Sequence, residues 1–192
     1  MIGIPDMQEL HSLLAVVERE FRDGLAGQNI VLKLTPEEPL PHHTERAAIG
    51  FKALQESGGR ITEDNVRQIV PTIYYADKAT TIMLIPNYLR ALLSLADKHA
   101  DDARFVDGVN ESIYIVSARF GEMLHGENRD EIHLGKPSVN IRLSNAKIYK
   151  TYMTRGMRKA LKAYLIAWFD YFTHTYAAKL NLRRQWFHNS WL

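Results

Sequence analysis

The sequence predicts a mainly α-helical single domain. About five helices with a small β element are expected, and the long C-terminal helix is the spine or an oligomer interface. Three observations carry this expectation. Apolar residues recur at steps of three and four over much of the chain. Capping residues, glycines and prolines fall at the ends of those stretches. One uninterrupted helical pattern runs over residues 145–179.

The first helix follows Pro5-Asp6. Asp6 with Glu9 three residues later resembles a capping box, and Leu10, Leu13, Leu14, Val17, Phe21 and Leu25 form one stripe. Gly24 and Gly27 are read as its end. Residues 29–34 (NIVLKL) read as a short strand, because branched residues favour the pleated backbone. Three prolines make 35–43 irregular. Thr44 is expected to cap a second helix carrying Ile49, Phe51 and Leu54, which Gly58-Gly59 stops. Thr62 opens a short segment that Pro71 closes, and 72–75 and 80–85 read as extended segments. Pro86 suits the first turn of a third major helix bearing Tyr88, Leu89, Leu92, Leu93, Leu95 and Ala96. A fourth helix is expected over 110–125, and 138–143 (SVNIRL) alternates as strands do. Ser144 caps the last and longest helix. Its apolar positions fill roughly 200° of the helical wheel, wider than the arc a surface helix usually buries. Such a helix either crosses the core or is shared with a second chain.

Composition bounds the function. The chain has 192 residues, 46% hydrophobic and 24% charged, with no cysteine. A disordered chain, a disulfide scaffold and a cysteine-ligated zinc site are excluded. The N-terminal stretch lacks a basic region followed by an apolar run, and no apolar run reaches about 18 residues. Neither a secretory signal nor a membrane partner is expected, and the expected location is the cytoplasm, or the host cytosol for a viral protein.

The net charge of +2 hides a division. Residues 144–192 hold nine Lys or Arg against one acid, Asp170, for +8; residues 1–143 hold fifteen against twenty-one, for −6. Eleven of the nineteen aromatic residues also fall within 144–192. The domain therefore reads as an acidic body, 1–143, with a basic, aromatic-rich helix and docked tail, 144–192. Such asymmetry suits a nucleic-acid surface, an arm for an acidic partner, or a basic helix packed on its own acidic body. The cations concerned are Lys147, Lys150, Arg155, Arg158, Lys159, Lys162, Arg183 and Arg184. The aromatic residues expected at an oligomer or partner interface are Tyr164, Trp168, Phe172, Trp186, Phe187 and Trp191.

Nucleotide-binding, nucleophile-elbow and H-E-x-x-H signatures are absent from the sequence. Four weaker groupings remain. His42-His43 with Glu45 could ligate metal or exchange protons. Glu122 and His125 share a helix face at the spacing of di-iron bundles, without a second such pair. Asp170 and His174 are four residues apart on the last helix. Asp101, Asp102 and Asp107 could hold a divalent cation through oxygen. The Asn110-Glu111-Ser112 sequon is read as a chance match.

The leading functional expectation is a non-enzymatic binding or assembly protein that uses protein–protein contacts and self-association, of the kind found as phage or mobile-element accessory factors. A DNA- or RNA-binding regulator using the basic helix comes second. A metal- or histidine-dependent hydrolase or nuclease comes third. No cofactor is expected.

Overall fold

The computed structural model describes residues 3–125 and 153–180. Among the described residues there are six α-helices and one 3₁₀ turn, and no strand. The helices are α1 (Met7–Leu25), α2 (Glu45–Glu56), α3 (Val66–Ile69), α4 (Lys78–Lys98), α5 (Ala103–His125) and α6 (Arg155–Leu180); the 3₁₀ turn is Val70–Tyr74.

Four of them close a ring. α6 packs on α1, α1 on α4, α4 on α5, and α5 back on α6. Contacts along the seams give the directions. His11 meets Asp97 and Glu18 meets Arg90, so α1 and α4 are antiparallel. Gly24 lies against Met157, while Glu18, further back on α1, acts on Tyr164, further along α6, so α1 and α6 are also antiparallel. The 99–102 connection reverses the chain between α4 and α5, as short connections between neighbouring helices do. The result is an up-down-up-down bundle, with α2, α3 and the 3₁₀ turn packed together and the turn resting on α5.

Local chemistry explains several of these boundaries. Asp6 Oδ1 accepts the Glu9 N–H at 2.8 Å, and the stripe Leu10, Leu14, Val17 and Phe21 is buried as its spacing dictates. Gly58 and Gly59 adopt φ of 64° and 85°, which only glycine tolerates cheaply, and α2 ends before them. Thr44 precedes α2 without capping it; its hydroxyl donates to the Pro41 carbonyl instead.

Two of the three segments expected to form the small β element are corrected. Residues 29–34 adopt no regular secondary structure and join no sheet. Their ties run to side chains: the Lys33 N–H donates to Thr80 Oγ1 at 2.8 Å, and the Gln55 amide donates to the Leu34 carbonyl at 2.9 Å. One isolated bridge, Pro36 with Ala76, is all the β pairing among the described residues. Residues 80–85 are helical. Asp77 accepts from the Thr80 N–H and starts α4 nine residues before Pro86, which lies buried inside the helix. The Thr81 hydroxyl donates to the Asp77 carbonyl, so a threonine-rich opening is compatible with helix here. A short apolar run cannot by itself be told from a strand, and the burial of Ile82, Leu84 and Ile85 around α4 decides for helix. Residues 72–75 form the end of the 3₁₀ turn and the residue after it. The strand expected at 138–143 lies outside the described residues.

α5 begins seven residues before the expected start. Asp102 Oδ1 accepts the N–H groups of Arg104 and Phe105, and so caps the helix. By length and composition α4 is the one described helix that could cross a membrane. The side chains that make it so, Tyr88, Leu89, Leu92 and Leu93 among them, are the centre of the bundle.

Two buried tyrosines set an alkaline limit. Burial pushes the Tyr88 phenol up to about 12, against the opposing hydrogen bond with Thr72. Burial, and secondarily the Glu18 carboxylate, raise Tyr164 well above the ordinary range. The fold thus favours the neutral phenols. Their contribution is intact below about pH 10, where tyrosines of the unfolded chain ionise, and is lost as pH rises towards the folded-state values. Tyrosinate absorbance should rise in two stages, the late one coinciding with loss of helical circular dichroism. A single stage near pH 10 with the helices intact would contradict this burial.

Candidate partner-binding face

α6 opens with its own cap, Thr154 Oγ1 accepting the Met157 N–H at 3.2 Å. Its first turn lies close to α1. A Cβ on Gly24 would run into Met157 Sδ and lie 2.9 Å from its Cγ; one on Gly156 would sit 2.5 Å from Glu20 Oε2. The Glu20 carboxylate therefore lies at the N-terminal end of α6, where the helix dipole favours an anion.

Buried positions then define the inner arc. Met157, Ala160, Leu161, Tyr164, Leu165, Ala167, Trp168, Phe169 and Phe172 all have little or no exposure within this one chain. At about 100° per residue they span roughly 200°. The wide arc is thus covered by α1 and α5 of the same chain. Trp168 stacks on Phe172 with centroids 4.5 Å apart, and its indole N–H donates to Asn110 Oδ1 at 3.2 Å. This corrects the expected interface role of Tyr164, Trp168 and Phe172, because a side chain buried to 0% in its own core has no surface to offer a partner. Asn110, the sequon asparagine, is likewise buried.

The remaining arc of α6 faces outward. Arg155, Lys159, Lys162, Ala163, Ile166, Asp170 and His174 are exposed, and Arg158 is half-buried at the edge. The order along the helix is cationic over two turns, then apolar at Ile166, then anionic at Asp170. Ile166, 40% exposed, lies near the middle of this arc. Arg155, Lys159, Lys162 and Asp170 form no ion pair with a described residue. His174 does not engage the Asp170 carboxylate; its Nδ1 hydrogen-bonds the Asp170 backbone carbonyl at 2.8 Å.

The α1–α4 seam is different, since its charges are engaged internally. Arg90 makes a two-pronged contact with Glu18, Nε at 3.0 Å and a terminal nitrogen at 2.8 Å, and that hydrogen bonding raises the guanidinium pKa. His11 and Asp97 meet at 3.2 Å. Ser94 donates a short hydrogen bond to Glu63, which holds that carboxyl below its ordinary value, with Lys98 adding to the effect. The ion pairs among the described residues therefore lie on α1, α4 and the loop before α3, and none of them includes a described cation of α6.

The other sequence candidates are scattered. His42, His43 and Glu45 are exposed around the start of α2. Asp102 is occupied as the α5 cap, and no group of three or more His, Asp or Glu among the described residues is placed to hold a metal ion. Glu122 and His125 end α5 where side chains are not described. Lys147, Lys150, Arg183, Arg184, Trp186, Phe187 and Trp191 lie outside the described residues. Sequence reasoning missed Ile166, an apolar residue placed outside the buried arc. The wheel alone held its signal, since Ile166 falls among Arg155, Lys159 and Lys162. No family model, no curated protein and no solved structure matches this chain.

Proposed function

We propose that this chain is a binding or assembly protein that works through protein–protein contacts made by the outer face of α6. The observation that supports the reading is the succession on that face: Arg155, Lys159 and Lys162, then exposed Ile166, then Asp170. An apolar centre bordered by charges of both signs resembles the anatomy of a protein interface. A phosphate backbone asks for cations throughout, and Asp170 would repel it.

The test is a photo-crosslinking residue at position 166 in the full chain, expressed in cells, with position 52 on the exposed side of α2 as control. Adducts that protease removes and nuclease leaves intact are expected at 166 and not at 52. Nuclease-sensitive adducts would replace this reading with the nucleic-acid one, which rests on the three exposed cations of the first two turns. No adduct at 166 would remove this face from consideration.

A further inference from the structure

We propose that the partner of this face is a second copy of the same chain, bound antiparallel across a two-fold axis that passes by Ile166. This rests on the protein-contact reading above and adds the identity and register of the partner. Lys162 and Asp170 lie four residues on either side of Ile166. Each is therefore about 6 Å from it along the helix, and the two are offset by about 40° to opposite sides. A two-fold axis perpendicular to the helix and lying in the seam beside Ile166 reverses the axial offsets and keeps the lateral ones. It brings Asp170 of the second copy level with Lys162, diagonally across the seam, and the reciprocal pair forms by the same operation. The contact is isologous: one patch is complementary to itself.

Other arrangements lose this match. Parallel copies in register set Lys162 against Lys162 and Asp170 against Asp170. An antiparallel pair displaced towards the N-terminal half brings the cations of both copies together. In the proposed register, Arg155 is level with position 177 of the second copy, near the end of its α6 at Leu180. A helix C-terminus carries partial negative charge and favours such a cation. Ile166 of each copy lies at the centre, and the charges surround it. One helix seam with exposed ion pairs gives a modest, salt-sensitive dimer.

The absence of cysteine makes the register directly readable. Three full-length single-cysteine variants, Ile166→Cys, Lys162→Cys and Asp170→Cys, are oxidised separately and in pairs. Ile166→Cys alone should form a disulfide dimer, and so should a mixture of Lys162→Cys with Asp170→Cys. Lys162→Cys alone and Asp170→Cys alone should not. Each would sit about 12 Å along the axis from its counterpart, and a disulfide needs Cα atoms within roughly 7 Å. Separately, Lys162→Asp or Asp170→Lys should raise the dimer dissociation constant about tenfold in sedimentation equilibrium, and the double swap should restore it. Unchanged circular dichroism shows that the swaps fold.

A wild-type chain that stays monomeric at low salt and high concentration overturns the dimer. The photo-adducts at position 166 then report independently on a different protein partner. A disulfide from Lys162→Cys alone, or a double swap without rescue, overturns the register.

Discussion

Replacing Trp168 by alanine is expected to lower the stability of the chain by about 3–5 kcal/mol, at every protein concentration. Trp168 is fully buried. It stacks on Phe172, lies 6.1 Å from the Tyr164 ring, and reaches across to α5 through its bond to Asn110. Alanine removes the ring, leaves a cavity, and strands Asn110 Oδ1, whose residue is 1% exposed. Domains are stable by only about 5–15 kcal/mol, so this one change consumes much of the margin. Trp168→Phe keeps part of the volume and loses the donor, and should cost less, about 1–3 kcal/mol. Denaturant midpoints measure both. An unchanged midpoint with a reduced native mass would return Trp168 to an interface role.

The second large effect is one whose sign local propensity gets wrong. Gly50→Ala lies in the interior of α2, where alanine is favoured over glycine by about 1 kcal/mol. Here the added Cβ would sit 2.7 Å from the Gln68 carbonyl oxygen and 2.7 Å from Thr72 Cγ2, with Ile69 Cα at 3.5 Å. Part of that obstacle is backbone at α3, which cannot swing aside as a side chain can. A net loss of about 1–3 kcal/mol is expected as α2 is pushed off α3 and the 3₁₀ turn. Gly156→Ala is the matched comparison. Its obstacle is the movable carboxylate of Glu20, so it should be near neutral or stabilising. Thermal midpoints of the two variants should move in opposite directions or differ clearly. A stabilising Gly50→Ala would mean that α2 and α3 are less closely packed than their geometry indicates.

The places where sequence reasoning succeeded and failed share one cause. α1 was legible to its cap and its buried stripe, because hydrogen bonds and spacing within a few residues determine both. The stop after α2 was legible for the same reason, in Gly58-Gly59. The start of α4 was not. Its β-branched opening and Pro86 argue locally for a strand followed by a new helix, and only burial among the other bundle helices makes 78–98 continuous. Asp102 had the opposite history: a carboxylate read as one of a cation-binding group is committed to backbone N–H groups of its own chain.

α6 shows the division most clearly. Its amino acids alone determined that about 200° of the helix is apolar and that cations occupy much of the rest, because helical spacing assigns every side chain a direction. They could not say whether that apolar arc meets its own chain or another. The tertiary structure decided it: α1 and α5 approach from two sides and cover Tyr164, Trp168 and Phe172 completely. Burying apolar surface requires only that something cover it, and a sequence does not record which element arrives first. The same packing turned Ile166, Lys162 and Asp170 outward, and so decided which residues of this helix remain exposed.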